Sequence, residues 1–331
     1  MSDAAPAPVR ARDLMPLLAF GLEIARTERL SPTFVRLTLT GADLAHFGTG
    51  GHPLDMRIKV IIPGTVDHFA HLGPERPMDP ADLDGTGAEW YKRWLAHPEE
   101  ERGWMRTYTV RELRGAGHPG NIAEHPELDI DFVAHPGGKA ADWALAAQVG
   151  DTVSVIGPNR HLAAPGYGGI EFRPGLARRV LLAGDETAAP AICSILEALP
   201  ASFSGHAFIE IPTAADALPT LTKSRVSLTW LPRDEQPHGA PAALGSLLDA
   251  AVRSVVAPPP FIDRGTEPED VDIDTQILWE TSSGTETAFY AWLAGEAGII
   301  KTMRRYLVRD VGVDRTQVSF MGYWREGRAE G

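Results

Sequence analysis

The sequence predicts two lobes in series, a small antiparallel barrel of six strands and then a parallel α/β domain. Three observations carry this. Up to about residue 158 the β-rich runs are short and bounded by Gly, Pro and Asp. From residue 179 onward, apolar strands alternate with helical stretches. Between the two, residues 161–176 are dense in Gly and Pro. The expected division is a disordered tail over 1–13, the barrel over 14–160, a linker over 161–176 and the α/β domain over 177–331.

The tail is rich in Pro and Ala. Six runs read as barrel strands: 17–24, 34–40, 55–62, 105–113, 128–134 and 152–157. A helical insertion over 89–102, with Trp90, Trp94 and Leu95 near helical spacing, follows a polar loop over 67–87. The second lobe opens with a strand over 179–184 and a helix over 187–199, then strands over 205–211 and 226–231. A helix over 242–251, a strand over 288–294, a helix over 296–308 and a strand over 318–323 complete it. Residues 256–280, with three consecutive prolines and an acidic run, read as an exposed excursion whose role is open. No fixed-period repeat is present.

A formal charge of −13 argues against nucleic acid or an anionic membrane as partner. Cys193 is the single cysteine, so neither an intrachain disulfide nor a multi-Cys metal site can form. It lies in an apolar run and reads as an inert buried thiol. The N-terminus has no basic segment leading into an apolar one, and nothing approaches the roughly 18 apolar residues of a membrane helix. A cytoplasmic protein without stable membrane insertion is expected. Asp67, His68 and His71 lack a further clear ligand, so no metal site is expected.

Residues 106–111, Arg-Thr-Tyr-Thr-Val-Arg, carry the most chemistry. Strand side chains alternate between faces. Arg106, Tyr108 and Val110 therefore share one face, and Thr107, Thr109 and Arg111 the other. A guanidinium, an aromatic ring and hydroxyls suit a planar, phosphate-bearing cofactor, though they also decorate ordinary solvated sheets. Further on, Asp131-Phe132-Val133-Ala134-His135 ends a second strand. Residues 135–143, His-Pro-Gly-Gly-Lys-Ala-Ala-Asp-Trp, then open a short helix, whose first amides can cradle a diphosphate. Residues 115–120 match G-x-G-x-x-G but lead into another β-like run, which excludes a dinucleotide fingerprint.

In the second lobe, residues 183–190, Ala-Gly-Asp-Glu-Thr-Ala-Ala-Pro, sit at the carboxyl end of the first strand, where open parallel sheets bind ligands. Asp185 equally suits a helix N-cap. Ala294-Gly295-Glu296 repeats that placement, and the helix it opens carries Lys301, Arg304 and Arg305. These cations form either a solvated face or an anion-attracting surface, with Arg57 and Lys59 of the barrel as rivals. Tyr323-Trp324-Arg325 ends the last strand, where Trp324 also suits core packing.

Taken in order, these words strongly resemble the siderophore-interacting protein family, FAD-dependent ferric-siderophore reductases related to ferredoxin reductases. The matching stretches run from Trp90-Tyr91 through the Arg106 strand, over 131–158, through Ala183-Gly184-Asp185-Glu186-Thr187, and over Ala294-Gly295-Glu296 to Gly322-Tyr323-Trp324-Arg325. The resemblance implies a Greek-key FAD-binding barrel, an NAD(P)H-binding α/β domain, and non-covalent FAD in the cleft between them. Tyr108 would stack on the isoalloxazine, Arg106 would neutralise the pyrophosphate, and Thr109 would hydrogen-bond the ring, with Thr107 alongside. Asp131, His135, Lys139, Ala140, Ala141 and Trp143 join the cofactor-binding set. Asp185 and Thr187 would face flavin and nicotinamide, and Tyr323 and Trp324 would return toward the flavin. The family usually has Pro-Ala-Ser where this chain has Lys139-Ala140-Ala141. The missing hydroxyl removes one phosphate contact, and Lys139 can supply charge in its place.

The implied activity is reduction of a ferric siderophore by NADH or NADPH, releasing Fe(II) by outer-sphere electron transfer without an acid–base triad. Arg57, Lys59, Lys301, Arg304 and Arg305 are the candidates for attracting the chelate. A general flavin or quinone reductase and a non-catalytic flavin- or siderophore-binding protein remain alternatives, with a ferredoxin open as redox partner. The chain stops soon after Tyr323-Trp324-Arg325, which resembles the NADPH-preferring branch of the family.

Overall fold

A computed structural model describes residues 9–65, 69, 72–78, 89–122, 124–135, 138–162, 169–235, 240–256, 276–282 and 287–327. The first lobe contains α1 (Ala11–Leu14), β1 (Leu17–Arg29), β2 (Phe34–Thr40), β3 (Arg57–Ile62), α2 (Glu89–Leu95) and α3 (Glu99–Arg102). It continues with β4 (Trp104–Thr109), β5 (Glu112–Arg114), β6 (Glu127–Val133), α4 (Lys139–Ala146) and β7 (Thr152–Pro158). The strands form one antiparallel sheet in the order β4-β3-β7-β1-β2-β6-β5.

The run expected as a single strand, 105–113, is β4 and β5 at opposite ends of that order. Two residues between them bond to both sides. Val110 N–H donates to Met56 O at 2.8 Å, and Arg111 N–H donates to Asp129 O at 2.9 Å. One stretch of chain thus changes partners and draws the two edges together, curling the sheet into a barrel. Alternate residues fill its interior, among them Phe20, Leu37, Val60, Ile130, Phe132 and Val155.

The expected helix over 89–102 is two short helices, because Pro98 is the N-cap of α3 and cannot donate to a continuing helix. Order also begins earlier than the predicted tail allows: Ala11 is buried, and Arg10 Nη1 donates to Glu75 O at 2.6 Å. Residues 1–8, Asp67, His68, His71 and most of the loop over 67–87 lie outside the described residues.

The second lobe comprises β8 (Arg179–Gly184), α5 (Ala189–Ala198), β9 (Ser204–Ile211), β10 (Arg225–Pro232) and α6 (Ser246–Val255). After these come β11 (Trp279–Glu280), β12 (Phe289–Glu296), α7 (Ala297–Arg305) and β13 (Val318–Trp324). The sheet order is β10-β9-β8-β12-β13-β11, parallel except for the short β11, which runs antiparallel to β13. β11 escapes sequence reading because two residues show no periodicity; residues 257–275 of the predicted excursion before it are outside the described set. Helix α5 covers one face of the sheet and α6 with α7 the other. Helix α6 starts four residues later than predicted, because Gly245 at its N-cap takes the left-handed φ of 78°. Chain order reverses between β8 and β12, and the crevice at their carboxyl ends is the expected ligand position.

Residues 169–176 of the predicted linker are not a loose connector. Glu171 and Phe172 are buried, and both of their N–H groups donate to Asp55, at 3.1 and 3.2 Å. Asp55 also accepts from Trp292 Nε1 at 2.9 Å, so one barrel carboxylate binds the connection and β12 together. Further polar contacts cross between the lobes. Arg111 holds Glu197 of α5 bidentately at 2.6 and 2.7 Å, and Asp216 accepts from Ser31 Oγ at 2.7 Å and Thr33 N at 2.8 Å. Among the described residues no helix is long and apolar enough to cross a membrane.

Candidate functional site

The wall of the site on the barrel is built on β4. Trp104, Arg106 and Tyr108 share a pleat face. The Tyr108 ring lies 4.2 Å from that of Phe132 on β6, which in turn meets Trp143 of α4 edge-on at 5.8 Å. Lys139, the first residue of α4, stands over the Trp104 ring at 4.3 Å and bonds Glu99 at 2.5 Å. Gly138 at the N-cap offers no side chain to the first amides of that helix, and Ala140 and Ala141 are buried in its first turn. Arg106 is half-buried, its Nη1 donating to Met105 O at 2.9 Å. Flat aromatic surface with one cation on the strand and another on the adjoining helix suits a planar group carrying phosphate.

Four carboxylates lie at the carboxyl edge of the parallel sheet. Asp185 follows β8, and its two oxygens collect donors from three strand ends: Thr187 N at 2.9 Å, Thr187 Oγ1 at 2.5 Å, Glu296 N at 2.8 Å and Trp324 Nε1 at 2.8 Å. Burial, reinforced by the neighbouring Glu186, pushes the Asp185 carboxyl above the usual range. Glu186 is itself buried and held by Arg233 at 3.0 and 3.1 Å. Glu210, at the end of β9, accepts from Gly245 N and Leu248 N and so occupies the N-terminus of α6. Glu296 caps α7 through Ile299 N at 2.9 Å. His135, at the end of the β6 segment, joins the halves: its Nε2 is 3.7 Å from Glu186, and its ring is 6.1 Å from Trp324.

Arg106, Tyr108, Lys139 and Trp143 thus group on the barrel, Asp185, Thr187 and Trp324 group at the sheet edge, and His135 of the barrel reaches the second group. Other expected residues lie elsewhere. Asp131 is on the opposite pleat from Phe132, where Arg36 binds it bidentately at 2.6 and 2.8 Å. Thr107 and Thr109 point away from Tyr108, toward Arg57 and Lys59; Lys59 donates to Thr107 Oγ1 at 2.7 Å. Arg57 stacks on Trp279 at 4.1 Å and pairs with Glu171, while Tyr323 stacks on the same indole at 5.8 Å. The cation cluster of α7 splits. Lys301 is half-buried and Arg305 exposed, but Arg304 is buried and bound to Glu280 at 3.1 and 2.5 Å, which removes it from the docking candidates.

Sequence reasoning missed Glu210 and Arg233, although the strand-end rule applied to β9 and β10 would have reached both. It also missed Trp104 and Glu99, for which no local signal existed. A separate groove of about 680 Å³ on the barrel, lined by Gly21, Glu23, Thr40, Thr65, Arg102 and Ser154 among others, borders none of the expected site residues. Among the described residues, no cluster of His, Cys, Asp and Glu could hold a metal ion.

Barrel, parallel sheet and the crevice at its carboxyl edge give the ferredoxin-reductase fold. The fold matches that of the ferredoxin reductase of carbazole 1,9a-dioxygenase, with a TM-score of 0.52 at 15% identity over 94% of this chain and 71% of that one. Residues 23–162 match the siderophore-interacting FAD-binding domain, and residues 177–327 match the siderophore-interacting protein domain. The chain belongs to the siderophore-interacting protein family. It is 30% identical to the Mycobacterium tuberculosis protein Rv2895c over 326 residues, covering 95% of this chain and 92% of that protein. It is 28% identical to the ferric vibriobactin reductase ViuB of Vibrio cholerae over 316 residues, covering 93% and 90%. A siderophore utilization protein from T. fusca superposes with a TM-score of 0.61 at 26% identity, covering 95% of each chain. SipS from Aeromonas hydrophila does so with 0.57 at 25%, covering 94% and 93%.

Proposed function

We propose that this chain is an FAD-dependent ferric-siderophore reductase driven by NADH or NADPH. The observation that carries the reading is the Trp104–Arg106–Tyr108 face set beside the first turn of α4. FAD, when bound, supplies the exchange between the two electrons of a hydride and the single electron taken by ferric iron. Tyr108, backed by Phe132, offers the apolar wall for the ring system. Arg106 and Lys139 bring positive charge to the phosphates, and the amides at Ala140 and Ala141 add helix-start donors. Asp185 fixes Thr187 and Trp324 at the crevice where the nicotinamide would enter. His135 bridges from the barrel to Glu186 on that edge. Lys59 and Arg57 lie across the strand, where an anionic ferric chelate would meet them, and the iron needs no protein ligand for outer-sphere transfer.

The test is optical. Protein purified without added cofactor should be yellow, bleach anaerobically with NADH or NADPH, and recover its colour on addition of a ferric siderophore, with a ferrous chelator reporting the released iron. Recovery only with quinones or free flavin would move it to the general flavin reductases. Colourless protein that takes up no FAD would end the reading.

A further inference from the structure

The structure assigns Glu99 a part in cofactor binding: we infer that its carboxylate competes with the anionic portion of FAD for the Lys139 ammonium. This rests on the FAD reading above. Lys139 and Glu99 are each about half exposed, with side-chain relative accessibilities of 50% and 50%. The ammonium hangs over Trp104, whose pleat face also carries Arg106 and Tyr108. The one basic side chain in the first turn of α4 is therefore turned toward α3, within reach of the strand face that would take the cofactor.

The two partners differ in freedom. Glu99 belongs to a helix pinned at several points. Trp94 Nε1 donates to Arg102 O at 3.0 Å, and Thr65 N donates to Glu100 O at 3.3 Å. The turn beside it is in backbone contact with the end of β3: a Cβ placed on Gly103 would fall 2.1 Å from Ile62 O, and one on Gly64 2.2 Å from Glu101 O. Lys139 instead carries its charge on a flexible four-carbon stem. If the pair separates, the longer lysine stem gives the ammonium the greater reach.

An exposed ion pair contributes little stability, since water screens it and both side chains lose entropy. A diphosphate carries more charge than one carboxylate and would also meet the uncapped amides of α4. Exchange from Glu99 to phosphate is therefore favourable but not free, and Trp104 can hold the ammonium by its π face through either arrangement. FAD affinity is accordingly set below what Lys139 alone would give, by a residue outside the cofactor motif.

Flavin-stripped full-length protein titrated with FAD by calorimetry tests this. Glu99→Gln, which keeps the shape and removes the charge, should tighten FAD binding roughly two- to fivefold. Lys139→Met should weaken it. In the Lys139→Met background, Glu99→Gln should change nothing. An unchanged or weaker affinity for Glu99→Gln alone overturns the inference. So does a gain that persists without Lys139, since that would be general charge relief rather than competition. Wild-type protein that takes up no FAD overturns the cofactor reading and this inference together, an outcome distinct from FAD binding that ignores Glu99.

Discussion

Asp185 shows how much a single carboxylate can organise. Its acceptors tie the ends of β8, β12 and β13, and it admits only glycine at the neighbouring strand end: a Cβ on Gly295 would lie 2.6 Å from Asp185 Oδ2. Asparagine in its place would turn an amide donor toward groups that are themselves donors. Asp185→Asn should therefore lower stability by about 1–3 kcal/mol in urea unfolding. It should also slow bleaching by NADH or NADPH while leaving FAD affinity unchanged, as calorimetry and anaerobic mixing would show. The α7 arginines give a second contrast. Arg304→Met should cost about 1–3 kcal/mol by removing the buried partner of Glu280, which keeps only the exposed Arg315 at 3.2 Å among its described partners, whereas Arg305→Met should stay within about 0.5 kcal/mol. Loss of ferric-chelate affinity in Arg304→Met at unchanged stability would return that residue to the substrate surface.

At the scale of elements, β6 joins the lobes through its outward face. Glu127, Asp129 and Asp131 alternate with Leu128, Ile130 and Phe132, which fill the barrel. Arg114 binds Glu127 at 3.1 Å and Asp129 at 2.7 Å, Arg36 binds Asp131, and Arg111 lies 3.8 Å from Asp131 while clasping Glu197. The result is a ladder of arginines and carboxylates that starts on the barrel and ends on α5. Removing Arg111 leaves Glu197 without its clasp, while Asp131 keeps Arg36. Arg111→Ala should cost about 3–5 kcal/mol in denaturant unfolding, and a paired Arg111→Leu, Glu197→Leu replacement should recover part of that. A loss near zero for Arg111→Ala would mean that the clasp does not carry the junction.

For the molecule as a whole, the lobe junction carries a pH dependence centred on Asp55. Complete burial pushes its carboxyl up from the ordinary 3.8 to about 6, against the opposing hydrogen bonds from Trp292, Phe172 and Glu171. A raised carboxyl binds its proton more tightly in the folded chain than in the unfolded one. Its contribution is therefore full below the ordinary value and lost as pH rises to about 6. The expected loss is up to about 3 kcal/mol across that window. Urea midpoints of wild type and Asp55→Asn across it should show wild type favoured more at the acid end. A difference independent of pH would remove Asp55 as the source.

By itself the sequence determined the two-lobe order, the antiparallel barrel pattern, most strand positions and the strand-end loops of the α/β domain, because periodicity and turn residues are local properties. It also named the β4 face, since alternation along a strand follows from backbone geometry alone. Tertiary structure decided the rest. It showed Val110 and Arg111 changing the partner of one strand, Glu171 and Phe172 turning an apparent linker into part of the junction, and Asp131 and Arg304 spent on ion pairs. It brought Glu99 to Lys139 and Arg233 to Glu186 from 40 and 47 residues away. Which charge neutralises which depends on how sheets curl and lobes meet, and no local pattern in the chain encodes that separation.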